Sequence, residues 1–162
     1  MVRVLIVDDD PDICYVLRDA LTGSGYVVEG VSNGAEALET IRRWRPDAIL
    51  LDLIMPVVDG WSFLDAYESD PACRGVPVAV LSAAPEAGSA IQDRGVWALV
   101  PKPFDVGAVV STVDELVRHS CLRHRARSHG RRNSVATRRR ATRRETAHAG
   151  RMAPSDATPR TG

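Results

Sequence analysis

Val4-Leu5-Ile6-Val7-Asp8-Asp9-Asp10 and Ala48-Ile49-Leu50-Leu51-Asp52 are the two stretches whose reading decides the fold. Each is a short apolar run that stops at carboxylates, the pattern of a parallel strand buried on both faces whose carboxyl end opens into a polar site. In an open α/β sheet, ligands bind along that edge. Acids gathered there repel one another and raise each other's pKa unless a divalent cation or a positive side chain compensates. The two runs therefore imply a hard-metal site before any other residue is considered. Asp10, with Pro11 after it, reads as a helix cap rather than a ligand.

Working outward, strands are expected at about Arg3 to Val7, Val27 to Val31, Ala48 to Leu51, Val76 to Leu81 and Ala98 to Pro101. Between them, Ile13, Val16, Leu17, Ala20 and Leu21 recur at helical spacing, as do Ala37, Leu38, Ile41 and Trp44. Phe63, Leu64 and Tyr67 mark a third helix. Val106, Val109, Val110, Val113, Leu116 and Val117 give the last helix a continuous apolar stripe, with Asp114, Glu115 and Arg118 outside it. Asp10-Pro11, Asn33 with Glu36, Asp59 and Asp105 supply start signals. The fourth helix, Ala87 to Asp93, is short and carries Gly88. Strands alternating with helices predict an α/β fold, a doubly wound five-stranded parallel sheet with helices on both faces.

Composition sets the boundaries of that domain. The chain has 162 residues, 44% of them hydrophobic, enough for one good core and few for two. Its 21 basic and 21 acidic residues hide an asymmetry: residues 1–120 hold 9 Lys/Arg and 19 Asp/Glu (9 − 19 = −10), and residues 121–162 hold 12 and 2 (12 − 2 = +10). After Cys121 only Leu122, Val135 and Met152 are large and apolar, so residues 1–120 are expected to form the folded domain and 121–162 a disordered, arginine-rich tail. Cys14, Cys73 and Cys121 are odd in number and show no metal-ligand spacing, which suggests reduced thiols. His119, His124, His129 and His148 show none either. Trp44, Trp61, Phe63 and Phe104 read as packing groups. No apolar run approaches the roughly 18 residues of a membrane span, and no signal peptide precedes the first strand, so a soluble, cytoplasmic protein is expected, with no membrane partner.

Strand ends collect the chemistry: Asp8 and Asp9 after the first, Asp52 after the third, Ser82 after the fourth and Lys102-Pro103 after the fifth. These are the parts of a phosphoryl-transfer site. Asp52 is the candidate carboxylate nucleophile, and Asp9 with Asp8 would hold Mg²⁺. Ser82 and Lys102 would bind the remaining phosphoryl oxygens.

Val7-Asp8-Asp9, Leu51-Asp52-Leu53-Ile54-Met55-Pro56, Asp59-Gly60, Leu81-Ser82-Ala83 and Lys102-Pro103-Phe104 together closely resemble the receiver domain of two-component response regulators, over about residues 1–119. The resemblance implies a flavodoxin-like sheet of order 2-1-3-4-5. It also implies that Asp52 takes a phosphoryl group from a histidine kinase or phosphotransfer protein, that Asp9, Asp52 and the backbone carbonyl of Ile54 bind Mg²⁺, that Ser82 is the switch hydroxyl, and that Lys102 contacts the acyl phosphate. A cis peptide before Pro103 is expected. On this reading the chain is a single-domain regulator rather than an enzyme, and its output is phosphorylation-dependent binding to an unidentified downstream protein.

Three positions depart from the family's pattern. The switch aromatic three residues before the lysine is replaced by Leu99, with Trp97 a possible substitute on the same strand face. The span from Ser82 to Lys102 is about two residues short. Ile54 and Ala84 stand where family members orient the hydrolytic water, which predicts a long-lived acyl phosphate. Two other functions remain open to this sequence. One is a haloacid-dehalogenase-like aspartyl phosphatase using Asp8 and Asp10, although the acidic pair expected after the lysine strand and the cap domain are missing. The other is a receiver whose basic tail binds nucleic acid through phosphates. Arg131-Arg132-Asn133-Ser134 resembles a basic kinase site, a string that arises by chance in arginine-rich sequence.

Overall fold

The computed structural model describes residues 1–83, 87–92 and 94–120. The expected tail, with Cys121, His124, His129 and His148, lies outside them, as does Ala84. The strands are β1 (Arg3–Val7), β2 (Val27–Val31), β3 (Ala48–Asp52), β4 (Val78–Ser82) and β5 (Ala98–Pro101). The helices are α1 (Pro11–Gly23), α2 (Gly34–Trp44), α3 (Gly60–Ser69) and α4 (Ala87–Gln92), with α5 over 106–120. All strands pair in parallel in one sheet of order β2-β1-β3-β4-β5. The expected α/β, flavodoxin-like arrangement is what forms.

Period-two alternation along the strands divides the core into two layers. Leu5, Val7, Ile49, Leu51, Val78 and Val80 face α2, α3 and α4, meeting Ala37, Ile41, Phe63, Leu64 and Ile91. Val4, Ile6, Ala48, Leu50, Ala79 and Leu81 face α1 and α5, meeting Leu17, Leu21, Val109, Val113 and Leu116. The apolar stripe of the last helix is thus the part that closes the second layer. Trp44 and Trp61 pack against the first layer and Phe104 against the second, while Phe63 is fully buried.

The caps form where the side chains announced them. Asp10 accepts from the Asp12 and Ile13 N–H groups, with Pro11 in the first turn of α1. Asn33 Oδ1 accepts from Glu36 N–H at 3.0 Å, and Glu36 reaches back to the Ser32 N–H at 3.1 Å. Asp59 caps α3 through Ser62 N–H at 2.7 Å, and Asp105 accepts from Ala108 N–H at 3.0 Å. The peptide before Pro103 is cis. β4 starts two residues later than its hydrophobicity suggests. Val76 instead belongs to a turn, where its N–H donates to the Cys73 carbonyl and its own carbonyl accepts the Tyr67 hydroxyl.

Candidate phosphoacceptor site

Sheet register brings the site residues together. Val7 lies beside Leu51 across β1 and β3, so Asp8 emerges next to Asp52. Asp52 pairs with Leu81 and Ser82 with Pro101, so Ser82 and Lys102 follow in the same row. Lys102 N–H donates to the Ser82 carbonyl at 2.7 Å, tying the ends of β4 and β5. Every strand-end residue singled out in the sequence therefore reaches one edge of the sheet.

Asp8, Asp9 and Asp52 each turn a carboxylate oxygen to within 4.8 Å of the others. Asp8 and Asp52 are buried and Asp9 is exposed. Lys102 bridges the two buried acids, its Nζ donating to Asp8 Oδ2 at 2.9 Å and to Asp52 Oδ2 at 2.8 Å. The other oxygens are held by backbone: Asp10 N–H donates to Asp8 Oδ1 at 3.0 Å and Ile54 N–H to Asp52 Oδ1 at 3.2 Å. One ammonium among three carboxylates leaves an excess of negative charge. The donor set is all oxygen, which suits a small hard dication rather than a soft metal.

Electrostatics follow from this packing. Burial pushes the Asp8 carboxyl above its ordinary pKa, and the hydrogen bonds from Lys102 and Asp10 N–H only partly offset the effect. For Lys102, burial opposes the charge, but the hydrogen bonds to Asp52 and Asp8 together outweigh it and hold the ammonium above its usual value. The half-buried Cys14 thiol donates to the Asp8 carbonyl at 3.3 Å, and burial raises its pKa to about 11, so it supports the loop as a neutral thiol.

Gly60 has a part that its motif did not make explicit. A Cβ there would lie 2.3 Å from the Asp52 carbonyl oxygen and 2.6 Å from Leu53 Cα. Only glycine lets the start of α3 close onto the residues that carry Asp52, where Gly60 N–H donates to the Leu53 carbonyl at 3.0 Å. The Asp59-Gly60 pair, a helix cap followed by a residue without a side chain, was the available signal.

One expectation needs adjustment. Trp97 does not stand in for a switch aromatic beside Ser82: it precedes β5, at the end opposite Lys102, and its ring lies edge-on to His119 with centroids 5.8 Å apart. Leu99 packs instead against the layer that contains Ile91. Lys102, expected to meet the acyl phosphate, spans Asp8 and Asp52.

A strand-end cluster of acids with a bridging lysine, on a 2-1-3-4-5 sheet, places this chain among the receiver-type signalling domains. The family model described as the response regulator receiver domain matches residues 4–114, and the chain belongs to that family, whose members act in two-component signalling. It is 41% identical over 122 residues to the transcriptional regulatory protein PrrA of Mycobacterium leprae, covering 72% of this chain and 50% of that protein. It is 34% identical over 118 residues to the DNA-binding transcriptional regulator NtrC of Escherichia coli, covering 72% of this chain and 25% of NtrC. The chain thus spans half the length, or less, of these curated relatives. The solved structure of the chemotaxis protein CheY4 from Vibrio cholerae superposes with a TM-score of 0.67 at 30% identity, covering 72% of this chain and 98% of CheY4. The family match decides against the haloacid-dehalogenase alternative, and Asp10 serves α1 as its cap rather than joining the acid cluster. Among the described residues, no helix is long and apolar enough to cross a membrane.

Proposed function

We propose that this chain is a response regulator that takes a phosphoryl group onto Asp52 from the phosphohistidine of a sensor kinase or phosphotransfer protein, and signals through phosphorylation-dependent binding to a downstream protein. The observation that carries the reading is the arrangement around Asp52. One carboxylate oxygen is tethered by Ile54 N–H and the other by Lys102, inside a cluster of acids suited to a divalent ion.

In this reading Asp52 attacks phosphorus, so that an O–P bond forms as the donor's N–P bond breaks. Asp9, Asp52 and the Ile54 carbonyl, together with Asp8, would hold Mg²⁺, which would supply positive charge to the phosphoryl oxygens. Lys102 then pairs with the new phosphoryl group, and the Ser82 hydroxyl, at the neighbouring strand end, is the second group in reach of its oxygens. The added charge, roughly two units, is what Ser82 and Lys102 respond to, and their movement is transmitted to α4 and β5. Each phosphoryl group is accepted once and kept as the signal, so the protein is a substrate of its kinase and not an enzyme acting on a product. A cytoplasmic location suits a partner of kinase cores.

Incubation with Mg²⁺ and acetyl phosphate, followed by intact-mass measurement, tests the reading. The expected result is a single gain of about 80 Da, one phosphoryl group, which is absent in Asp52→Asn. No adduct on the wild-type chain, or one that persists in the variant, would remove Asp52 as the acceptor.

A further inference from the structure

The loop between β3 and α3 exposes apolar side chains at the mouth of the site. Ile54 is 67% and Val57 87% exposed, beside an Asp52 that is only 7% exposed. Val57 also adopts a left-handed backbone conformation, φ 68°. A β-branched residue is disfavoured there, because its Cβ substituents crowd the backbone, whereas Gly or Asn fits readily. Val57 therefore gains nothing from its own fold: its side chain is largely in water and its backbone is strained.

The loop's ends are pinned, so its tip forms a fixed rim. Gly60 N–H returns to the Leu53 carbonyl, Gly34 N–H holds the Val58 carbonyl at 2.9 Å, and Ile54 N–H is bonded to Asp52 itself. A protein that delivers a phosphoryl group to so deeply set a carboxylate has to bring its own surface down onto this rim. We infer that Ile54 and Val57 form an apolar contact pad for the phosphohistidine-bearing protein donor, seating an apolar patch next to the donor histidine. The inference rests on Asp52 as phosphoacceptor and names the surface by which the donor is recognised. A small phosphodonor has no surface to place on the pad and is indifferent to it.

Comparison of two donors on the full chain tests this. Val57→Gly and Val57→Asn remove the apolar group while suiting the backbone, and Val57→Leu keeps an apolar group without branching at Cβ. The probes are acetyl phosphate and a phosphorylated histidine-kinase core chosen from a panel for its ability to label wild-type Asp52. Expected is about a tenfold loss in kcat/KM for transfer from the kinase in the Gly and Asn variants, carried by KM, in line with the loss of one buried aliphatic side chain. The Leu variant should transfer like the wild type, and all three variants should react with acetyl phosphate as the wild type does and melt no lower than it. Unchanged kinase transfer in the Gly and Asn variants would overturn the pad, as would an equal slowing with both donors, which would place Val57 in site geometry. Labelling of the wild type by acetyl phosphate but by no kinase core would remove the protein donor and the pad with it. Failure of acetyl phosphate to label Asp52 would instead strike the phosphoacceptor reading.

Discussion

At the residue scale, Asp8 shows how the site holds unfavourable charge. Its folded pKa lies above the ordinary 3.8 because burial outweighs the help of Lys102 and Asp10 N–H. The folded state therefore binds that proton more tightly than the unfolded chain does, so the contribution of Asp8 to stability is greatest below pH 3.8 and is lost as pH rises through the raised value. Asp8→Asn does not titrate. Denaturation in EDTA across a pH series should show the variant gaining on the wild type as pH rises from about 4 through the raised pKa of Asp8, and a constant difference beyond it. A difference independent of pH would mean that Asp8 titrates normally. Ile54 carries a second prediction, because its exposed aliphatic side chain cannot orient a water molecule for hydrolysis. The isolated phosphoprotein should keep its label for minutes or longer. Ile54→Asn should hydrolyse about tenfold faster, the equivalent of one hydrogen bond of about 1.4 kcal/mol gained in the transition state. Loss of label from the wild type within seconds would contradict it.

At the scale of elements, the strands and caps were legible because each rests on local chemistry: apolar runs ending in carboxylates, and Asp or Asn at the helix starts. The site residues were legible for the same reason, since strand ends in a parallel sheet share one edge whatever the loops do. Contacts that depend on register were not legible. Lys102 lies 50 residues from Asp52 and 94 from Asp8, and only the order of β1, β3, β4 and β5 places its Nζ between them. Trp97 shows the opposite failure: alternation alone placed it on a useful face, but its position before β5, at the end away from Lys102, sets it against His119. Steric fit was likewise hidden, and Gly60 is the case that can be measured. A methyl group there would meet the Asp52 carbonyl and the Leu53 backbone, neither of which is the movable end of a flexible side chain. Gly60→Ala should therefore cost about 3 kcal/mol in urea denaturation, the upper end of the ordinary overpacking range. It should also weaken Mg²⁺ binding, because the strain falls on the residue proposed as a ligand. A variant as stable as the wild type would show that the α3 start is free to move away.

For the molecule as a whole, the decisive property is the division of charge between a body of −10 and the residues after 120 at +10. Among the described residues, the last to join either layer of the core is Val117, and every residue of the site lies within 1–120. A fragment ending at Ser120 should take label from acetyl phosphate at Asp52 as the full chain does. The arginines should still be felt through their field, because twelve cations tethered to an acidic domain lower the concentration of other cations around it. Full-length protein should bind Mg²⁺ about two- to threefold more weakly than the fragment at 10 mM salt, where the screening length is roughly 30 Å. The two should agree near 1 M, where it falls to about 3 Å. Titration of Mg²⁺ by tryptophan fluorescence at both ionic strengths measures the difference directly. Equal affinities at low salt would mean that the arginines are held away from the acid edge or neutralised elsewhere, and would favour an anionic partner such as nucleic acid as their counter-charge.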